Sequence, residues 1–181
     1  MRASRLLDER ERAALLGLAF LILLVSSYFE NAAFFTVLNA LLHNQFLAVV
    51  MIFLHNVIIA SLILLGMTFY VNLVTLNLFK KQKYEYTVLR HPKAFAILFT
   101  VLFLFLSILR GSTLLFGGIN FEALPLILLE SAPIGLIEGY GIYLTISKTL
   151  SRNMSIKDLA HIYGVFLIGA LIEVGFISLL T

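Results

Sequence analysis

Residues 125–147 read PLILLESAPIGLIEGYGIYLTIS. The run is long and apolar enough to cross a bilayer, for which roughly 20 mainly apolar residues suffice, yet it carries two carboxylates. An acidic side chain near the midplane costs on the order of 2.5–3.5 kcal/mol on insertion scales, so Glu138 requires a proton, a partner or trapped water. Wound at 100° per residue, the segment places Glu130, Ser131, Gly135, Glu138, Gly141 and Thr145 within an arc of about 140°, with Leu126, Leu129, Leu136, Tyr140 and Leu144 elsewhere. One face is polar or small. Eight residues separate Glu130 from Glu138, about 12 Å along that face, too far to share a proton directly.

The rest of the chain agrees with a membrane reading. Of its 181 residues 61% are hydrophobic and 13% charged, against roughly 25% charged in soluble domains, and mean hydropathy is +1.01. No Pro-, Ser- or charge-rich linker divides the apolar runs, so 1–181 is expected to be a single integral membrane domain. The absence of cysteine excludes disulfides, thiolate metal sites and a cysteine nucleophile. The net charge of +3 comes from basic residues in short segments beside apolar runs, where orientation in a bilayer explains them. The lipid bilayer is the expected partner and nucleic acid is not.

Taken in order, the chain predicts an all-α, polytopic transmembrane helix bundle of about five spans, near 13–29, 53–73, 94–110, 125–147 and 161–180. The N-terminal MRASRLLDERER holds more acid than the basic region of a cleaved signal peptide usually does. Residues 30–44 contain no Lys or Arg and keep Phe34, Phe35, Val37, Leu38 and Leu42, the pattern of an interfacial helix; the competing reading extends helix 1. Residues 46–79 exceed one straight span, which predicts a tilted helix with an interfacial continuation. Residues 94–109 form the plainest span, expected to face lipid, and the glycines after Arg110 are expected to break it. Four Lys or Arg precede span 1, five lie between spans 2 and 3, three between spans 4 and 5, and one elsewhere. By the positive-inside rule the N-terminus is cytoplasmic and the C-terminus external, in a multi-pass protein of the cell membrane.

The candidate intramembrane polar site comprises Glu138, Glu173, Glu130, His55 and Asn56. Glu138 and Glu173 fall near the estimated midplanes of their spans and can meet inside the bundle, while His55 and Glu130 allow a second, outer pair. Such carboxylates mark a proton or cation path, or else a protonated, hydrogen-bonded helix interface without turnover. No HxxxH or ExxH spacing supports a metal site, and no cofactor is called for. Gly135 and Gly139 form a GxxxG pair that, with Gly169 on the last span, predicts close packing of spans 4 and 5 within the chain; a homo-oligomer seam is the alternative. Ser131 and His161 are placed at different depths and should not form a hydrolase pair, and no catalytic residue is identified.

Pro133-Ile134-Gly135-Leu136-Ile137-Glu138 resembles the P-H-G-x-x-E element of the stage II sporulation protein M family of integral membrane proteins, matching at Pro133, Gly135 and Glu138. The resemblance extends to Leu54-His55-Asn56 at the start of span 2 and to Ile172-Glu173 in the last helix. The chain departs from the pattern where Ile134 replaces the usual His, where His55 stands in place of a second Asn, and where an Asn-Gly element is reduced to Asn72 and Asn77. The resemblance implies a non-enzymatic scaffold or accessory subunit that acts through membrane or envelope protein partners. Glu138 and Glu173 motivate an alternative, a small transporter or proton- or cation-coupled permeation protein. An intramembrane hydrolase comes third, lacking an identified nucleophile.

Overall fold

The computed structural model describes residues 9–41, 44–75, 85–116 and 120–180. These form six helices with no strand among the described residues: α1 Glu9–Leu41, α2 Gln45–Thr75, α3 Glu85–Arg90, α4 Pro92–Phe116, α5 Leu124–Leu150 and α6 Ile156–Leu180. Two of them, Gln45–Thr75 and the Ile156–Gly175 part of α6, are long and apolar enough to cross a membrane; Ala14–Phe29 and Pro92–Leu106 are shorter apolar stretches.

The helix ends follow from local chemistry. Asn44 accepts from Leu47 N at 3.3 Å, capping α2, and Asn120 Oδ1 accepts from Glu122 and Ala123 N at 3.1 and 3.3 Å just before α5. At the other end of α5, Asn153 N donates to Lys148 O and Arg152 N to Thr149 O, with Arg152 at φ 52°. This is the six-to-one and five-to-two pattern of a Schellman stop, with arginine in the left-handed position glycine usually takes. The chain then enters α6 through a reciprocal capping box. Asp158 N donates to Ser155 Oγ at 3.1 Å and Ser155 N to Asp158 Oδ2 at 3.0 Å, with Asp in the place of the usual Glu or Gln. Lys148 Nζ, 2.9 Å from Asp158 Oδ1, ties the two helices at this turn. Arg152 also donates to the Thr75 hydroxyl at the end of α2.

Helices α2, α5 and α6 pack on one another, with α1 laid along α2 and α4 along α5. Successive long helices alternate in direction. Phe69 would lie 2.9 Å from a Cβ on Gly17, and Phe20 equally close to one on Gly66, so each ring of the α1–α2 pair rests on the other helix's glycine. The larger core joins Ala60, Ile63, Val71, Ala96, Ile142, Ile146, Ile162 and Phe166 toward the end of the bundle bearing Lys148 and Arg152, here termed the basic end. A smaller one joins Phe34, Ala48, Ile52, Ala170 and Val174 at the opposite end.

Several expectations are corrected. Residues 30–41 are no separate interfacial helix but the continuation of α1, because nothing between 18 and 41 is Gly or Pro and the ladder has no reason to stop. Helix α2 is one unbroken element from Gln45 to Thr75, without a turn at Leu73. Helix α4 runs through Gly111 to Phe116, since a glycine inside a helix costs only about 1 kcal/mol relative to alanine. Nor does α4 expose its whole circumference: Ala96 and Thr100 are buried and Phe95, Phe99 and Phe103 pack on the core.

Candidate functional site

The polar site is assembled by α2, α5 and α6. Asn56 is 7% exposed and its Nδ2 donates to Glu138 Oε1 at 2.6 Å, joining α2 to the middle of α5. A buried carboxyl group is costly without such a bond, and an amide supplies it without adding charge. Helix α6 reaches the same point through Gly169, where a Cβ would sit 3.6 Å from Glu138 Cγ. One turn further along α6, Glu173 borders the same space.

These groups open onto a cavity of about 570 Å³ lined from α1, α2, α4, α5 and α6. Its polar lining is His55, Asn56, Ser131, Glu138 and Glu173, and the remainder is mostly aliphatic and aromatic, including Ile52, Phe103, Leu104 and Ile127. Among the described residues α2 and α4 share no extended helix–helix interface, and residues of both border the space together with α5. His55 stacks on Phe34 with ring centroids 4.2 Å apart and planes at 18°. Both rings border the cavity.

The structure thus brings together Glu138, Glu173, Asn56 and His55. The side chain of Glu130, and with it the expected pairing with His55, lies outside the described residues. The glycine pair belongs elsewhere than expected: Cβ atoms on Gly135 and Gly139 would meet Leu104 of α4 at 3.7 and 3.1 Å, so the close neighbour of this GxxxG face is α4 and not α6. Small residues signal a close approach without saying which helix makes it. The tight contact with α6 is at Gly141, whose Cβ would fall 2.8 Å from the Phe166 ring. Pro133 lies inside α5, where it cannot donate to the carbonyl of Leu129 and loosens the ladder one turn before Glu138. Ser131 bonds back to Ile127 O at 2.7 Å, whereas His161 stands edge-on to Tyr140, so the two are apart as expected.

Two contributors were not on the sequence-derived site: Phe34, which stacks on His55, and the wall formed by Phe103 and Leu104. No local pattern distinguishes them from other apolar residues. Ser61 and Tyr163, whose hydroxyls lie 3.3 Å apart, form a further polar link between α2 and α6 nearer the basic end. Among the described residues no group of three His, Asp or Glu side chains is placed to hold a metal ion. No family model, curated protein or solved structure matches the chain.

Proposed function

We propose that this chain is a multi-pass protein of the cell membrane, crossing the bilayer with α1, α2, α4, α5 and α6, the basic end cytoplasmic and the C-terminus external, and that it acts as a small proton- or cation-coupled permeation protein. The observation that carries the reading is the cavity bounded by Asn56-held Glu138 and by Glu173. Carboxylates inside an apolar bundle, facing a shared space rather than lipid, are the usual mark of an ion or proton path. Membrane insertion is supported by how little of the apolar surface the fold itself covers. The most apolar stretch of α2 has mean hydropathy 2.6 with only 28% of it buried, and α4 turns Ile97, Leu98, Val101, Leu102, Phe105 and Leu106 outward. In water such a surface aggregates; lipid solvates it. A scaffold role, as the sporulation-family resemblance implies, accounts for the bundle but leaves the cavity without a purpose.

Two experiments test the reading. Purified chain reconstituted in vesicles should carry a proton or monovalent-cation flux that Glu138→Gln and Glu173→Gln abolish while the variants remain folded; flux equal to that of protein-free vesicles overturns it. The native chain has no cysteine, so single cysteines report topology cleanly. Cysteines at Ser4, Gln82 and Ser151 should resist an external impermeant thiol reagent, and ones at Ser112 and Thr181 should react. Labelling of positions 82 and 112 from the same side removes α4 from the list of spans.

A further inference from the structure

The shape and lining of the cavity narrow its ligand beyond the permeation reading, on which this inference rests. At about 570 Å³ it falls within the range of roughly 300–1,000 Å³ typical of sites for small organic molecules, and is much larger than a proton or a bare ion requires. Its wall is hydrocarbon over most of its extent, with Asn56, Glu138 and Glu173 on one side. An inorganic divalent cation asks for about six or more oxygen ligands, and the described residues hold no group of three acidic or imidazole side chains able to bind a metal. An anion would meet two carboxylates and, among the described lining residues, no Lys or Arg. A neutral apolar molecule would cover the two carboxyl groups without replacing any polar contact they lose.

The mouth adds a separate constraint. Leu106, Leu128 and Leu136 border the cavity and are also 52%, 51% and 71% exposed on the outside of the bundle. The rim between α4 and α5 is therefore apolar and continuous with the surface that lipid covers in the proposed arrangement. A molecule soluble in the hydrocarbon layer can cross that rim, whereas a fully hydrated ion would have to shed its water first.

We propose that the cavity binds an amphiphilic organic cation, an apolar body carrying a single ammonium or phosphonium charge, which enters from the bilayer and exchanges for a proton held by the Glu138–Glu173 pair. The exchange balances: the protonated site and the cation go to the occupied, singly deprotonated site and one free proton. The apolar body lies against Ile52, Phe103, Leu104 and Ile127, and the charge faces the carboxylates. The titratable groups facing the ligand are Glu138 from α5, Glu173 from α6 and His55 from α2; the described lining residues of α1 and α4 contribute none.

The test uses the full chain in detergent and a matched pair of probes, tetraphenylphosphonium and tetraphenylborate, alike in shape and opposite in charge. Calorimetry in two buffers of different ionisation enthalpy counts the protons exchanged. The expected result is saturable binding of the phosphonium at one site per chain, with proton release, tighter binding at alkaline than at acid pH, and no saturable binding of the borate. Each Glu→Gln variant should weaken phosphonium binding by at least about tenfold, since the partner of a desolvated charge is lost. Equal binding of both probes overturns the proposal, as does phosphonium binding that releases no proton. The comparison of probes on the parent chain stands even where a variant fails to fold. Flux that depends on Glu138 without phosphonium binding rejects this ligand class and leaves the permeation reading intact; absence of both rejects both.

Discussion

The two halves of α5 are built from similar residues and do opposite things. From Gly141 to Leu150 the helix is enclosed: Ile142, Thr145, Ile146, Ser147, Thr149 and Leu150 are all buried, and Phe166 of α6 presses on Gly141. Thr145 and Thr149 return their hydroxyls to the carbonyls one turn back, at 2.8 and 2.6 Å, so both threonine hydroxyls are satisfied within the helix. From Leu124 to Glu138 the helix is open. Leu126, Leu128, Leu129 and Leu136 are exposed, while Ser131, Gly135 and Glu138 border the cavity. Glycine and polar residues occur in both halves, so composition does not separate them. What separates them is whether a neighbouring helix fills the space that the small residues leave.

The comparison breaks most readily at Phe166. This ring is 2% exposed and belongs to the larger core, so Phe166→Ala should cost about 3–5 kcal/mol, read as the largest fall in thermal midpoint among these variants in detergent. Next comes Gly141→Ala. With its Cβ 2.8 Å from a ring that is packed in the larger core, overpacking of about 1–3 kcal/mol is expected; a midpoint equal to that of the parent would show that the closed half yields as easily as the open one. In the open half the sensitive position is Asn56. Asn56→Leu removes the donor to Glu138 and leaves a half-buried carboxyl group without that partner, at about 1–3 kcal/mol. Adding Glu138→Leu should restore part of that loss, because removing both partners is cheaper than removing one. Strict additivity of the two single effects would mean that the bond is not present in the folded protein.

How much of this was legible beforehand depended on whether the relevant physics was local. The polar stripe of α5 is a property of one helix at 3.6 residues per turn, and Ser131, Gly135 and Glu138 are on it in sequence as in structure. Asn56 and Glu173 stood out as polar residues in apolar runs. That Asn56 and not His55 holds Glu138 depends on the register of α2 against α5, which no pattern within either helix encodes. Helix ends depend on tertiary packing in the same way. Gly111 does not end α4, because its cost is small beside the packing of α4 on α5, and Asn44, a good N-cap immediately before an apolar run, is the start signal for α2. The partner of Gly135 and Gly139 was likewise a question of tertiary arrangement, answered by Leu104.

The smallest effect is expected at Gly135, and it decides the comparison because the chemistry of the change matches that at Gly141. Both glycines lie within α5, so replacing either by alanine brings the same intrinsic gain in helix propensity, up to about 1 kcal/mol. At Gly141 that gain is overwhelmed by the Phe166 ring. At Gly135 the nearest atom to a new Cβ is Leu104 Cδ2 at 3.7 Å, an ordinary contact against a side chain that borders open space. Gly135→Ala should therefore leave the thermal midpoint unchanged or slightly raised, while adding one methyl group to the cavity wall beside Glu138. A bulkier apolar residue at 135 should act on binding rather than on stability, since it fills the space without unpacking the core. If Gly135→Ala instead costs as much as Gly141→Ala, Leu104 is held as rigidly as Phe166, and the open half of α5 is as closely packed as the enclosed half.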